Sequence, residues 1–271
     1  MTISVIVPSR LARKPSSHCG NLYLNNALAS ITRQAIAPIE VIVALDPGIL
    51  AKVPPPYLEH GPLPLRFLEA ATAGQAAAVN AAVKVATGEW LAFLEDDDTW
   101  EPARLATGVE LARRFNYEFV TCNQRETTEG GMFVRHNDFP TPSGWLLRAS
   151  VFRDLGGLDE TFRLHVDTDF LGKANAAGVK RCHVVEVGAL GMQAADDDTP
   201  GATETRRRLN WISMVSMHSA VIESTQREPL VQRTVNPDGG MAAIERGGEA
   251  AEQSRKEHAI MAQRYGGQYP W

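Results

Sequence analysis

The sequence predicts an α/β protein in which a mainly parallel sheet is covered by helices on both faces. Three features predict it. Four short apolar runs fall within the first hundred residues, helix-patterned segments separate them, and the runs are hydrophobic throughout instead of alternating.

The first run, residues 4–7, closes at Pro8-Ser9. Leu24, Leu28, Ile31 and Ala35 follow at steps of four, three and four, the spacing of one face of an amphipathic helix. Glu40–Leu45 is a second buried strand, stopped by Asp46-Pro47-Gly48. Residues 53–64 are proline-rich. Proline removes a backbone donor and restricts the residue before it, so no regular structure is expected there. Residues 65–68 form the third strand. Residues 75–86 are helical, with Ala76, Val79, Val83 and Ala86 on one side and Thr87-Gly88 closing the helix. Residues 90–94 are the fourth strand.

Beyond an acidic run at residues 95–98 the pattern loosens. Pro102 suits the first turn of a helix that carries Leu105, Val109 and Ala112 inward. Phe119–Cys122 reads as a strand, and Gly130-Gly131 marks a turn before residues 132–134. Residues 149–155 and 167–177 are helical, closed by Gly156-Gly157 and Gly178, and residues 183–187 are a late strand. Residues 194–203 read as a polar loop and 204–224 as one long helix. A flexible connection is expected at 229–248, with a loosely docked helix and tail over the last twenty residues. This divides the chain into a main domain, 1–228, with halves at 1–102 and 103–228, and a C-terminal segment, 229–271.

The chain has 271 residues, 44% hydrophobic and 22% charged, which suits a sizeable core and excludes wholesale disorder. Its formal charge of -5 lacks the basic footprint of a nucleic-acid binder. No apolar stretch approaches the ~20 residues that span a bilayer, and residues 1–5 lack the features of a signal peptide. Cys19, Cys122 and Cys182 are odd in number and far apart, unlike a disulfide scaffold or a thiolate zinc site. A cytoplasmic location, with peripheral membrane contact as a variant, is the expectation.

The sharpest chemical feature is Glu95-Asp96-Asp97-Asp98, four carboxylates where an apolar strand emerges at its carboxyl end. Crowding them there is unfavourable without a cation or a donor-rich ligand, and ligands of open parallel sheets bind outside the carboxyl ends of strands. Hard divalent cations take carboxylate oxygens and bridge to phosphates. A solvated turn capping the next helix is the plainer account of an acidic run taken alone. Pro8-Ser9-Arg10 and Asp46 end earlier strands, where Asp46 suits the edge of a nucleotide base or an ordinary turn. Gly74 allows close backbone approach before the helix carrying Asn80. Asp167 and Asp169 precede a helix, as caps or, for one of them, as a base within reach of an acceptor hydroxyl. A second acidic run, residues 196–198, follows alanines and reads as a solvated loop; Arg206, Arg207 and Arg208 read as the exposed start of a helix.

Together these pieces resemble a family 2 glycosyltransferase of the GT-A fold, a group of inverting enzymes that use nucleotide-activated sugars. The matching segments are residues 4–9, 40–46, 74–80, 86–90 running into the aspartates, and 156–160, in order over residues 1–190. The resemblance implies a Rossmann-like central sheet with a helical C-terminal extension. It implies that Pro8, Ser9 and Asp46 hold the nucleoside, with Arg10, Gly74 and Asn80 also on the donor side. Asp97 is expected near the donor ribose or diphosphate, and Asp98, aided by Asp96, is expected to hold Mn2+ or Mg2+. Asp167 falls where the family places its general base, and Trp145, Asp159 and Glu160 fall near the acceptor. Val166 stands where members often have an acidic residue, and no histidine lies near Met192-Gln193.

The implied partners are a UDP-, GDP- or dTDP-sugar donor and a glycan, lipid-linked or protein acceptor. The alternatives are an inactive nucleotide-sugar-binding protein and a sugar-phosphate nucleotidyltransferase. The latter normally opens with a glycine-rich phosphate loop, which residues 7–10 lack. No GxxxxGK[ST] element is present either.

Overall fold

The computed structural model describes residues 1–12, 23–52, 63–189, 219–235 and 239–266. Cys19, residues 53–62, the loop at 194–203 with its acidic run, the three arginines at 206–208 and Met192-Gln193 lie outside the described residues.

The first half follows the alternation of strand and helix. Its elements are β1 (Ile3–Ser9), α1 (Tyr23–Thr32), β2 (Glu40–Leu45), β3 (Leu65–Glu69), α2 (Gln75–Val85) and β4 (Trp90–Phe93). The second half adds β5 (Thr99–Trp100), α3 (Arg104–Phe115), β6 (Phe119–Cys122), β7 (Gln124–Thr127), β8 (Phe133–Asn137) and β9 (Leu146–Arg148). It continues with α4 (Ala149–Asp154), α5 (Val166–Ala176), β10 (Arg181–Val185) and β11 (Ser219–Glu223). Finally come β12 (Val231–Thr234), α6 (Gly240–Arg246) and α7 (Glu249–Arg264).

Eight strands form the central sheet in the order β11-β10-β6-β9-β4-β1-β2-β3. The pairings are parallel except at β9, which runs antiparallel between β4 and β6. The inner strands β1, β2, β4 and β6 are buried on both faces because their side chains alternate between two sides, each covered by helices. Thus Val5 and Val7 of β1 pack with Leu24 and Leu28 of α1 and Leu105 of α3. Ile6, between them, belongs to the opposite core with Val79 of α2 and Phe152 of α4. The fold class read from the sequence is the one observed.

A second sheet, β5-β12-β7-β8, stands beside the carboxyl end of β4. Its central strand comes from the far end of the chain: β12 pairs antiparallel with β5 and parallel with β7. This corrects the expectation of a flexible connection over 229–248, which also contains α6. The long helix expected at 204–224 is corrected as well over its described part. Residues 219–223 carry Val221-Ile222, β-branched side chains suited to a strand, and extend the sheet beside β10. The C-terminal helix α7 is closely docked, with Met261 buried in the core under α5 and Glu257 buried at its edge.

Candidate active site

The carboxyl ends of β1, β2 and β4 meet at one edge, as parallel pairing in register requires. The Ser9 hydroxyl, ending β1, donates to Asp96. Asp46, ending β2, accepts the Gly74 N–H at 2.8 Å, and the Arg10 guanidinium lies 3.9 Å from its other oxygen. Gly74 has φ 133° and ψ 147°, a backbone conformation that a Cβ strongly disfavours, and that conformation turns its N–H onto Asp46. Gln75 then donates to Glu95 at 2.9 Å. Pro8, Ser9, Arg10, Asp46, Gly74 and the acidic loop therefore share one wall.

The acidic loop is held from behind by a turn not read from the sequence as part of the site. Ser143, in the single helical turn Pro142–Gly144, donates to Asp98 at 2.6 Å and accepts the Glu95 N–H at 3.0 Å. The Thr234 N–H of β12 reaches the other Asp98 oxygen at 3.3 Å. Asp98 is buried, with both oxygens engaged. Asp96 is occupied by Ser9 and by the Arg10 backbone. Asp97 differs: among the described residues no side chain donates a hydrogen bond to it.

Burial pushes the Asp97 carboxyl up to about 7, and the charges of Glu95 and Asp96 push the same way. Burial likewise raises Asp96 to about 6. Asp98 is raised well above the carboxylate range, by burial first and then by Asp97 and Glu95. The cationic counterweight is Arg233 of β12. Burial disfavours its charge, but Asp98, Glu95, Glu126 and Asp97 together outweigh that and hold it protonated. Glu126, its cross-strand neighbour on β7, fixes the guanidinium at 2.9 Å. Nothing local to Arg233 in the sequence announces this role, because the link to the acidic loop is a long-range strand pairing.

Asp167 lies in the first turn of α5 and accepts the Thr168 N–H at 2.8 Å. Burial raises it to about 6; Glu95 adds to the rise, while the Thr168 hydrogen bond and Arg233 oppose it. The base candidate thus shares one electrostatic environment with the acidic loop. A small cleft beside Glu95 is lined by Pro8, Gln75, Phe93, Trp145 and Leu158 among others.

The remaining predicted residues sit in the core and in the loop after α4. Trp145 is buried, stacked on Phe170 at 5.2 Å between ring centres and edge-on to Phe93 and Phe119. Asn80 is engaged with the following loop: it donates to the Leu158 carbonyl at 2.9 Å and to Glu160 at 3.0 Å, and accepts the Leu158 N–H at 3.0 Å. Asp159 pairs with Arg264 of α7 at 2.7 Å.

The donor set fits a hard divalent cation in one particular way. Among the described residues no three ligating side chains converge. A carboxylate with open oxygens in an overcrowded acidic loop suits a cation held by one or two protein ligands and completed by phosphate oxygens.

A mainly parallel sheet with an acidic loop at the carboxyl end of a central strand places this site where open α/β folds bind their ligands. The profile of glycosyl transferase family 2 matches residues 4–172, and the chain belongs to that family. An uncharacterized glycosyltransferase of Bacillus subtilis (strain 168), YwdF, is 26% identical over 200 residues, covering 67% of this chain and 74% of the relative. Another, alr2836 of Nostoc sp. (strain PCC 7120), is 33% identical over 113 residues, 41% of this chain and 33% of its own length.

Among solved structures, S. aureus TarS 1–349 in complex with UDP-GlcNAc aligns with a TM-score of 0.57 at 17% identity, covering 90% of this chain and 61% of that one. The mannosyltransferase PcManGT from Pyrobaculum calidifontis, in complex with GDP-Man and Mn2+, aligns with a TM-score of 0.50 at 17% identity, covering 96% and 80%. These likenesses establish the GT-A fold. The chain spans one third of the Nostoc relative and about three fifths of the TarS chain.

Proposed function

We propose that this protein is an inverting glycosyltransferase that moves a sugar from a nucleoside-diphosphate donor to an acceptor hydroxyl, with Asp167 as general base. The observation that carries this reading is that the aspartate loop at the carboxyl end of β4 and Asp167 lie close enough to share the same charged neighbours, Glu95 and Arg233. Family membership supports it, as do the UDP-GlcNAc and GDP-Man complexes of the two similar folds.

Pro8, Ser9, Arg10, Asp46 and Gly74 line the nucleoside side. The sequence gives the cation to Asp98 and Asp96, but among the described residues Asp97 is the loop aspartate that accepts no side-chain hydrogen bond, which supports it as the ligand. We therefore assign Mn2+ or Mg2+ to Asp97, with Asp96 beside it and Asp98 fixing the loop from behind. A cation there supplies positive charge for the departing diphosphate. The acceptor oxygen loses its proton to Asp167 and bonds to the anomeric carbon as the bond to the diphosphate breaks on the opposite face. One displacement needs one protein base, and a carboxyl raised to about 6 is still ionised at neutral pH and more basic than an ordinary one. Arg233 keeps a permanent positive charge beside the leaving group.

The test is a thermal-shift panel of UDP, GDP and dTDP with and without Mn2+, because a ligand selective for the native state raises the melting temperature. One nucleotide should shift the melting temperature strongly only with Mn2+, and Asp97→Asn should remove that shift while its unliganded melting temperature stays at or above that of the wild type. An Asp97→Asn protein with the full Mn2+-dependent shift overturns the assignment.

A further inference from the structure

Helix α5 lacks a side-chain cap of its own. His165, its N-cap residue, makes no capping hydrogen bond, although the N–H groups at a helix start need partners. The partner comes from the far end of the chain. The Glu257 carboxylate, on α7, accepts the N–H groups of Arg163 at 2.7 Å, Leu164 at 3.1 Å and His165 at 2.9 Å. Ser254, one turn earlier on α7, bonds the His165 ring at 2.8 Å, and the His258 ring packs on it at 4.2 Å. Glu257 is buried, so these are not surface contacts of small weight.

The same helix grips α5 again just past Asp167. Arg264 donates to Asp169 at 2.8 Å, and the Tyr265 hydroxyl lies 2.9 Å from both the Asp169 carbonyl and its carboxylate. Asp167 is therefore bracketed, two residues before and two after, by residues that α7 holds. Among the described residues its own carboxylate bonds only Thr168, its immediate neighbour in the same turn. The direction in which Asp167 points is set by the backbone of this turn, and α7 sets the backbone.

We propose that α7 is part of the catalytic apparatus, with Glu257 as the positioning residue for Asp167. This rests on Asp167 being the general base. Glu257 touches no substrate. It fixes the entry into α5, so that the base holds one direction instead of sampling several, and a misplacement of the order of 1 Å is costly in rate.

The test uses the full chain and hydrolysis of the sugar nucleotide matching the nucleotide selected by thermal shift, with water as the acceptor. Glu257→Gln keeps one acceptor oxygen and removes the charge and the other. It should lower kcat at least about tenfold while leaving the KM for donor and the nucleotide-induced thermal shift unchanged. Glu257→Asp, which keeps the carboxylate, should recover part of kcat. Amide hydrogen exchange of residues 163–169 should quicken in Glu257→Gln, with the central sheet unaffected. Unchanged kcat, unchanged exchange at 163–169, or equal losses of kcat, donor affinity and melting temperature each overturn the proposal. Asp167→Asn separates the two readings. Full activity in that variant sinks the base assignment itself, whereas an inactive Asp167→Asn beside a fully active Glu257→Gln sinks only the positioning role.

Discussion

Asp167 illustrates how a single side chain can set fold and function against each other. Burial raises its carboxyl from 3.8 to about 6. Between those values the unfolded chain ionises Asp167 while the folded chain keeps the proton, so the native state binds more protons and stability falls as pH rises through the window. Above pH 6 the ionised base is a standing cost, on the order of 1–3 kcal/mol. Asp167→Asn should therefore melt several degrees higher than the wild type at pH 8 in differential scanning calorimetry. The same variant should lose at least about 100-fold in transfer rate. In the wild type, kcat should decline on the acid side with an apparent pKa near 6, and a rate flat from pH 5 to 8 contradicts the role of Asp167. Asp167 enters as the base candidate through the family resemblance, whose ordered segments run on to Gly156-Gly157 just before it. The open oxygens of Asp97 could not be read from sequence, since four adjacent carboxylates look alike until Ser143 and Thr234 are seen to occupy Asp98.

At the scale of elements, sequence patterning served well wherever structure is local. α2, α4 and α5, together with β1 through β4, lie within a few residues of their expected positions because hydrophobic spacing and closing glycines define them. It failed at β5, β7, β9 and β12, short strands whose partners are distant in sequence and whose existence depends on those partners. Two elements invite direct tests. Arg233, on β12, faces the acidic loop and pairs with Glu126, which also holds Arg135 at 2.6 Å, so Arg233→Met should destabilise the fold by about 1–3 kcal/mol in urea titration, the cost of leaving the loop carboxylates without their cation. Gly157, in the loop after α4, has φ 70°, and an added Cβ there meets the Asn80 Oδ1 at 2.6 Å. Gly157→Ala should cost about 1–3 kcal/mol through backbone strain and the broken Asn80–Leu158 pairing, seen as a lower urea midpoint.

For the molecule as a whole, the terminal helix is tied to the body by charge as well as by the Met261 core contact. Burial alone lifts the Asp159 carboxyl, but hydrogen bonds from Thr161 and Arg264 outweigh it and bring it from 3.8 down to about 2. A folded pKa below the unfolded one gives stability that is present above about pH 4 and lost as pH falls towards 2. Amide exchange followed from pH 5 to pH 3 should show α7 losing protection before the central strands do. Simultaneous loss in both would mean that α7 is not a separable unit.

The route of the chain has a consequence for biosynthesis. β12 closes the small sheet between residues near 100 and near 125, yet it leaves the ribosome more than a hundred residues after them. A nascent chain released only to residue 190 would hold Glu95 through Asp98 without the guanidinium that offsets their repulsion. The acidic loop should therefore settle only after β12 has emerged, and a product stalled before it should present a formed central sheet with an unsettled loop.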